Sequence, residues 1–415
     1  MPGARHPIPH LLDPDLLLAG VPHERYHAIR AHDPVSWQEL PDGTGYWALL
    51  RHADVVRVSS EPTLFSAERK GMMLEDLELL PTLLNLDPPQ HAEVRRPLVR
   101  HFSPAATRAL EARMRSVIAA LLDRAAARGM CDFAADLAAP LPLAIISDML
   151  GIPADDRERL GRAGDAMAGA DDPELAADLR GKAQNEAALE LGMYAYQLGE
   201  RRRREGGDDL VASLMGATLG GAPVDLATFS GLFVQILIGG NETTRSLLCG
   251  GFQALAERPE SWAALAADPG LAASAVEEML RWVSPVHYFR RTATAETSLG
   301  GHTIRAGDRV VLLYGAANRD PEVFPAPDRF DVRRAPTPHV AFGFGEHFCL
   351  GARIARLEAR IFIEEVVRRF SGLELAGPVE RVRSNQLNSA KRMPVRLLSR
   401  ERAAPACRSR RPPCD

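Results

Sequence analysis

The sequence predicts a mostly α-helical protein built as one large domain. Helical periodicity in good helix formers dominates residues 105–128, 174–204, 226–257, 271–282 and 352–370. Strand-like runs are few and short. No Pro- or Ser-rich linker and no repeat of fixed period divides the 415 residues, so one domain over 1–400 outweighs the prior of two or three that length alone suggests.

The N-terminal MPGARHPIPH lacks the apolar core of a signal peptide. Val35 to Glu39 and Tyr46 to Leu50 flank Pro41-Asp42-Gly43, which reads as a hairpin. Residues 66–89 are rich in Leu and Met but broken by Gly71, Pro81, Pro88 and Pro89. That makes a long apolar connection, either a packed loop or a binding lid. Arg201 to Arg204 precede Gly206-Gly207, a cationic last turn closed by glycine. The apolar run near 231–240 is about half the roughly 20 residues that span a bilayer. Val310 to Leu313 is a short strand candidate. Five prolines (Pro321, Pro325, Pro327, Pro336 and Pro338) keep 318–338 irregular. The tail 401–415, with Pro405, Arg408, Arg410, Arg411, Pro412 and Pro413, reads as disordered.

Lys plus Arg number 50 against 54 Asp plus Glu, a net charge of −4, which excludes a dedicated nucleic-acid binder. The five cysteines, at 131, 249, 349, 407 and 414, are scattered without a C-x-x-C, against a disulfide framework, a zinc ribbon or an iron–sulfur cluster. The balance is that of a cytoplasmic protein in a reducing compartment.

The most informative stretch is Phe342-Gly-Phe-Gly-Glu-His-Phe-Cys349-Leu-Gly351, which runs into the 352–370 helix. Glycines let the backbone turn tightly and approach a ligand. A helix N-terminus aims amide N–H groups and the positive end of its dipole at Cys349, and both favour thiolate over thiol. A thiolate so cradled, with Phe342 excluding water, suits the axial position on haem iron.

Phe342, Gly345, Cys349 and Gly351 match F-x-x-G-x-x-x-C-x-G, and here the chain resembles the cytochromes P-450. Further stretches extend the resemblance over roughly residues 20–400, in its bacterial branch. Glu278-Met-Leu-Arg281 is similar to the family's E-x-x-R pair, a structural network that an Arg of the meander completes, here Arg329. Gly239-Gly240-Asn241-Glu242-Thr243-Thr244 lies inside the 226–257 helix, with Gly239 where the family has Ala. The resemblance makes Cys349 the iron ligand and Phe342, Gly343, Gly345, Gly351, Gly239 and Gly240 the walls of the haem site. An acid and a hydroxyl at Glu242 and Thr243 suit proton delivery. It also makes His91, Arg95, Arg291 and His347 the anchors of the two haem propionates. Arg290 competes for the position of Arg291.

The fold so implied is a helical prism with small β-sheets around haem b. The implied activity is monooxygenation of a lipophilic small molecule of steroid, terpenoid or fatty-acid-like class. Electrons would come from a separate ferredoxin or flavodoxin-type donor with its reductase, docking near Arg96, Arg100 and Arg353. The alternatives are a tailoring monooxygenase for macrolide or polyketide natural products, a peroxide-driven haem enzyme, and a haem sensor.

Overall fold

The longest element is the helix Leu226–Ala256. The Asp225 carboxylate starts it by accepting a hydrogen bond from the Thr228 amide at 2.7 Å, an N-terminal cap. Phe229, Leu232, Phe233, Leu237, Leu247, Leu248 and Phe252 are buried on several sides of it, the pattern of a central helix, not a surface one. The helices Pro140–Met149, Lys182–Glu205, Ala272–Val283 and Ala352–Arg369 pack around it. The Phe133 and Phe362 rings stand 5.0 and 5.2 Å from that of Phe252 and lock the central helix to the last one. The structure, a computed structural model, describes residues 10–76, 80–175 and 182–400.

The expected hairpin forms between Val35–Glu39 and Gly45–Leu49. It joins a five-stranded sheet in the order Val35–Glu39, Gly45–Leu49, Arg309–Leu313, Tyr288–Ala293, Phe65–Ser66. Val310 pairs with Arg291 and Val311 with Arg290. Alternation along a strand therefore sends the two arginines to opposite faces. A three-stranded sheet joins Phe370–Leu375, Pro394–Ser399 and Met130–Asp132. The architecture is the expected one, mostly α with small sheets.

Two helices differ from expectation. The 105–128 segment divides at Leu110 into Pro104–Ala109 and Glu111–Arg128. The described helix Lys182–Glu205 begins later than residue 174. Just before it, Asp172 is held by Lys391 Nζ at 3.1 and 3.2 Å and by the Arg383 amide at 2.9 Å. Those bonds tie the chain at Asp172 to the C-terminal strands. Residues 176–181 and the 401–415 tail lie outside the described residues. Among the described residues, no single helix is long and apolar enough to cross a membrane.

Candidate active site

Gly343 and Gly345 have φ of 70° and 71°, a region that L side chains avoid. A Cβ on Gly345 would lie 2.3 Å from the Ser59 carbonyl oxygen, so only glycine lets the loop pack on the helix His52–Ser60. The turn closes where the Cys349 amide donates to the Phe342 carbonyl at 2.9 Å, just ahead of Ala352–Arg369. Burial pushes the Cys349 thiol up, while the Gly351 amide, Arg95, Arg356 and the Ala352 amide oppose it. The amides act in the expected sense, but burial outweighs them. A thiol so placed ionises when a metal cation takes its proton's place.

Leu83 shows which part of the central helix this loop meets. Its amide donates to Gln235 Oε1 at 2.9 Å, and its carbonyl accepts from His347 Nδ1 at 3.1 Å. Gln235 lies one turn before Gly239, and His347 lies two residues before Cys349. At Gly239 a Cβ would meet nothing within 4 Å, although the helix is buried on both sides of it. At Gly240 a Cβ would be 2.9 Å from Ile146 Cγ1. The two glycines therefore do different work: Gly239 opens a space, and Gly240 lets the helix approach Pro140–Met149.

Thr243 Oγ1 donates to the Gly239 carbonyl at 2.8 Å, at that space. Glu242 is turned elsewhere. It is buried, its Oε1 accepts from Asn241 Nδ2 at 2.9 Å, and its Oε2 lies 3.7 Å from Arg245 Nη1. Burial, then the charge of Asp165 on the helix Ala154–Ala168, raises the carboxyl well above its ordinary value. Both causes favour the protonated form of Glu242, and the Arg245 charge opposes them.

Four basic residues meet beside the loop. Among the described residues, His91 is buried with neither ring nitrogen partnered, and His347 Nε2 has no partner either. The two rings are 4.5 Å apart. Burial, then the charge of Arg95, pushes His91 down to about 4; burial, then Arg291, pushes His347 down to about 2. Arg95 Nη2 donates to the Phe348 carbonyl at 2.6 Å, and Arg291 Nη1 to the Arg290 carbonyl at 2.9 Å. Among the described residues, none of the four is in a salt bridge. Arg290 points the other way, onto Asp76 and the Leu74 carbonyl at 2.8 Å each, so it no longer competes with Arg291. A cleft of about 540 Å³ leads to His91 and Arg95 past Arg96, Val99 and Glu346.

The E-x-x-R pair is fully buried, with Arg281 Nε 2.7 Å from Glu278 Oε2. Its third member is Arg334, not Arg329. Arg334 Nε lies 3.0 Å from Glu278 Oε2, while the Arg329 side chain is 74% exposed and only its carbonyl accepts from Arg281.

One buried acid escaped the sequence reading. Glu358 follows Ile354 and Leu357 on the buried face of Ala352–Arg369. Burial pushes it up to about 8, partly offset by a hydrogen bond from the Thr244 side chain. A raised carboxyl contributes stability that is complete below its unfolded value, near 4.5, and lost as pH rises through the folded one. The wild-type melting temperature should therefore fall between about pH 4.5 and 8 relative to Glu358→Gln, and parallel profiles would show the carboxyl to be unperturbed.

A family model described as Cytochrome P450 matches residues 270–389. Over 406 residues the chain is 37% identical to linalool 8-monooxygenase of Pseudomonas putida, covering 94% of this chain and 99% of that one. The chain belongs to the cytochrome P450 family. It is 35% identical to a steroid C26-monooxygenase of Mycolicibacterium smegmatis, covering 92% of each. A Mycobacterium marinum cytochrome P450 solved in complex with pseudoionone superposes with a TM-score of 0.86 at 34% identity, covering 92% of this chain and 96% of that one. This P450 is an oxidoreductase of the monooxygenase type, and its cofactor is haem b. The residues present suit that group. The backbone at Gly239 is free of side-chain contact, the unpartnered nitrogens of His91 and His347 suit its two carboxylates, and Cys349 offers a soft sulfur donor.

Proposed function

We propose that this P450 hydroxylates a lipophilic small molecule of terpenoid, steroid or fatty-acid-like class in the cytoplasm. Electrons come from a separate ferredoxin or flavodoxin-type donor with its reductase. The observation that carries the reading is the double hydrogen bond of Leu83, which joins the helix at Gln235 to the loop at His347. It ties the helix one turn before Gly239 to the loop two residues before Cys349. When bound, haem b supplies the activation of dioxygen and its insertion into a C–H bond. Cys349 Sγ would hold the iron. His91, Arg95, Arg291 and His347 would hold the propionates, each gaining the anionic partner it lacks. Phe342, Gly343, Gly345 and Gly351 shape the loop, and Gly239 would leave room for the group at the central helix. Glu242 stores a proton beside Asp165, and Thr243 Oγ1 passes one into the open space.

The donor is read from charge and shape. Arg96 and Val99 are exposed at the cleft beside Glu346, and Arg353 is exposed in the first turn of Ala352–Arg369; the arginines suit an acidic partner. Arg100 is partly engaged with Asp208 at 2.6 Å.

The substrate class is supported by the relatives' names and by the apolar side chain of Leu83 at the junction. Titrating the haem-loaded protein with terpenoids, steroids, fatty acids and macrolides tests it. A low-to-high-spin Soret shift is expected with the first three classes. A shift with macrolides alone would replace the reading with natural-product tailoring.

Thr243→Ala should uncouple turnover and leave binding intact. Product per NAD(P)H should fall on the order of tenfold while hydrogen peroxide rises, because haem, sulfur and substrate space remain but the hydroxyl is gone. Glu242→Gln keeps the shape, removes the acid and should slow turnover by about 100-fold. Unchanged coupling in Thr243→Ala would mean that another group delivers the proton.

A further inference from the structure

Arg356 belongs to a charged cluster against the Cys349 loop whose other members, Glu277 and His339, have no part in the site described so far. Glu277, on the helix Ala272–Val283, accepts from Arg356 twice, from Nε at 2.7 Å and from Nη2 at 2.9 Å. His339, whose side chain is 2% exposed, donates from Nε2 to the same carboxylate at 3.2 Å. Its Nδ1 accepts from the Ala341 amide at 3.2 Å, the arrangement of a neutral ring with the proton on Nε2. The Arg356 guanidinium carbon sits 4.6 Å from the centre of the Phe342 ring. The Phe342 carbonyl in turn accepts from the Cys349 amide at 2.9 Å. A line of direct contacts thus runs Glu277, Arg356, Phe342, Cys349. The member of the charged pair that touches Phe342 is the cation, and the carboxylate is bonded to that cation.

We propose that Glu277 and Arg356 are positioning residues that set the reduction potential of the metal centre at Cys349, acting across Phe342. The proposal rests on the reading of Cys349 as the iron ligand. Reduction adds one electron from the donor and neither makes nor breaks a bond, so its free energy follows the local potential. A cation close to the sulfur favours the added charge, and an anion held farther away subtracts part of that effect. Two side-chain cations reach the Cys349 loop, Arg356 through the Phe342 ring and Arg95 through the Phe348 carbonyl. Arg95 sits in the cluster that would face the propionates, where their negative charge offsets it. Among the described residues, Glu277 is the anion paired with Arg356.

The proposal differs from a purely mechanical brace in the sign of its effects. Losing either member of a brace would loosen the loop in the same way. Losing either member of an oriented charge pair must move the potential in opposite directions.

The test is potentiometric titration of haem-loaded wild type, Glu277→Gln, Arg356→Gln and the double variant, with thermal melts alongside. The midpoint should rise in Glu277→Gln, fall in Arg356→Gln and lie between them in the double variant. Arg356→Lys keeps the charge and should stay near wild type; should Arg356→Gln fail to hold haem, the rise in Glu277→Gln tests the sign by itself, and a fall or no change there overturns the proposal. Shifts of the same sign, or melting changes with no shift in potential, would overturn the proposal. The reduced, CO-bound wild type is recorded first. Absence of a thiolate Soret band there would reject Cys349 as ligand, an outcome distinct from any pattern of potentials.

Discussion

Glu278→Ala is expected to yield almost no folded protein, and Arg281→Ala the same. Both side chains are 0% exposed. Glu278 accepts from Arg281 twice, from the Asp331 amide at 2.8 Å and from Arg334 at 3.0 Å. Arg281 also donates to the carbonyls of Asn318, Pro327 and Arg329. One pair therefore fastens the helix Ala272–Val283 to the whole irregular segment that leads to the Cys349 loop. Removing one partner strands the other charge without water, at about 3–5 kcal/mol, against a total stability of about 5–15 kcal/mol for a domain. Soluble yield and haem loading are the measurements. Arg329→Ala should be nearly neutral in the same assay. Normal loading in Glu278→Ala would mean the pair is not structural.

Gly345→Ala should leave a folded, helical protein that cannot hold haem in its thiolate form. The backbone at φ 71° disfavours any side chain by roughly 1–2 kcal/mol. The added methyl also meets a backbone oxygen at 2.3 Å, which no rotamer change relieves. Gly343 is the internal comparison. Its φ is 70°, but a Cβ there would first meet atoms at 3.7 and 3.8 Å. Gly343→Ala should therefore keep most of its haem. Equal losses in the two variants would show that conformation alone matters, and no loss in Gly345→Ala would contradict the packing on Ser59. Far-UV circular dichroism separates loop damage from unfolding.

What the sequence made legible was local. The Cys349 loop is ten residues long, and its glycines, aromatic residues and cysteine can be read by spacing. The central helix likewise declares itself, because its apolar residues recur at helical spacing around Gly239 and Thr243. Long-range partners are a different matter. His91 and His347 are 256 positions apart, and only the resemblance joined them before the fold did. The meander has no period, so nothing local distinguished Arg329 from Arg334 as the partner of Glu278. Glu242 was expected beside Thr243 over the opening, but Asn241, Arg245 and Asp165 draw its side chain into the protein. Glu358 was hidden because one acid among Ile354, Leu357 and Ile361 does not disturb the pattern of a buried face. The break at Leu110 was also invisible, because helix formers run through it on both sides.

The most direct test of the account is the visible spectrum of the reduced, CO-bound protein, recorded for wild type and for Cys349→His. Wild type should show the red-shifted Soret band of thiolate ligation. Cys349→His should bind haem without that band, since imidazole is a neutral donor and leaves Arg95 and Arg356 facing no negative sulfur. A thiolate band retained in Cys349→His would contradict the account at its centre.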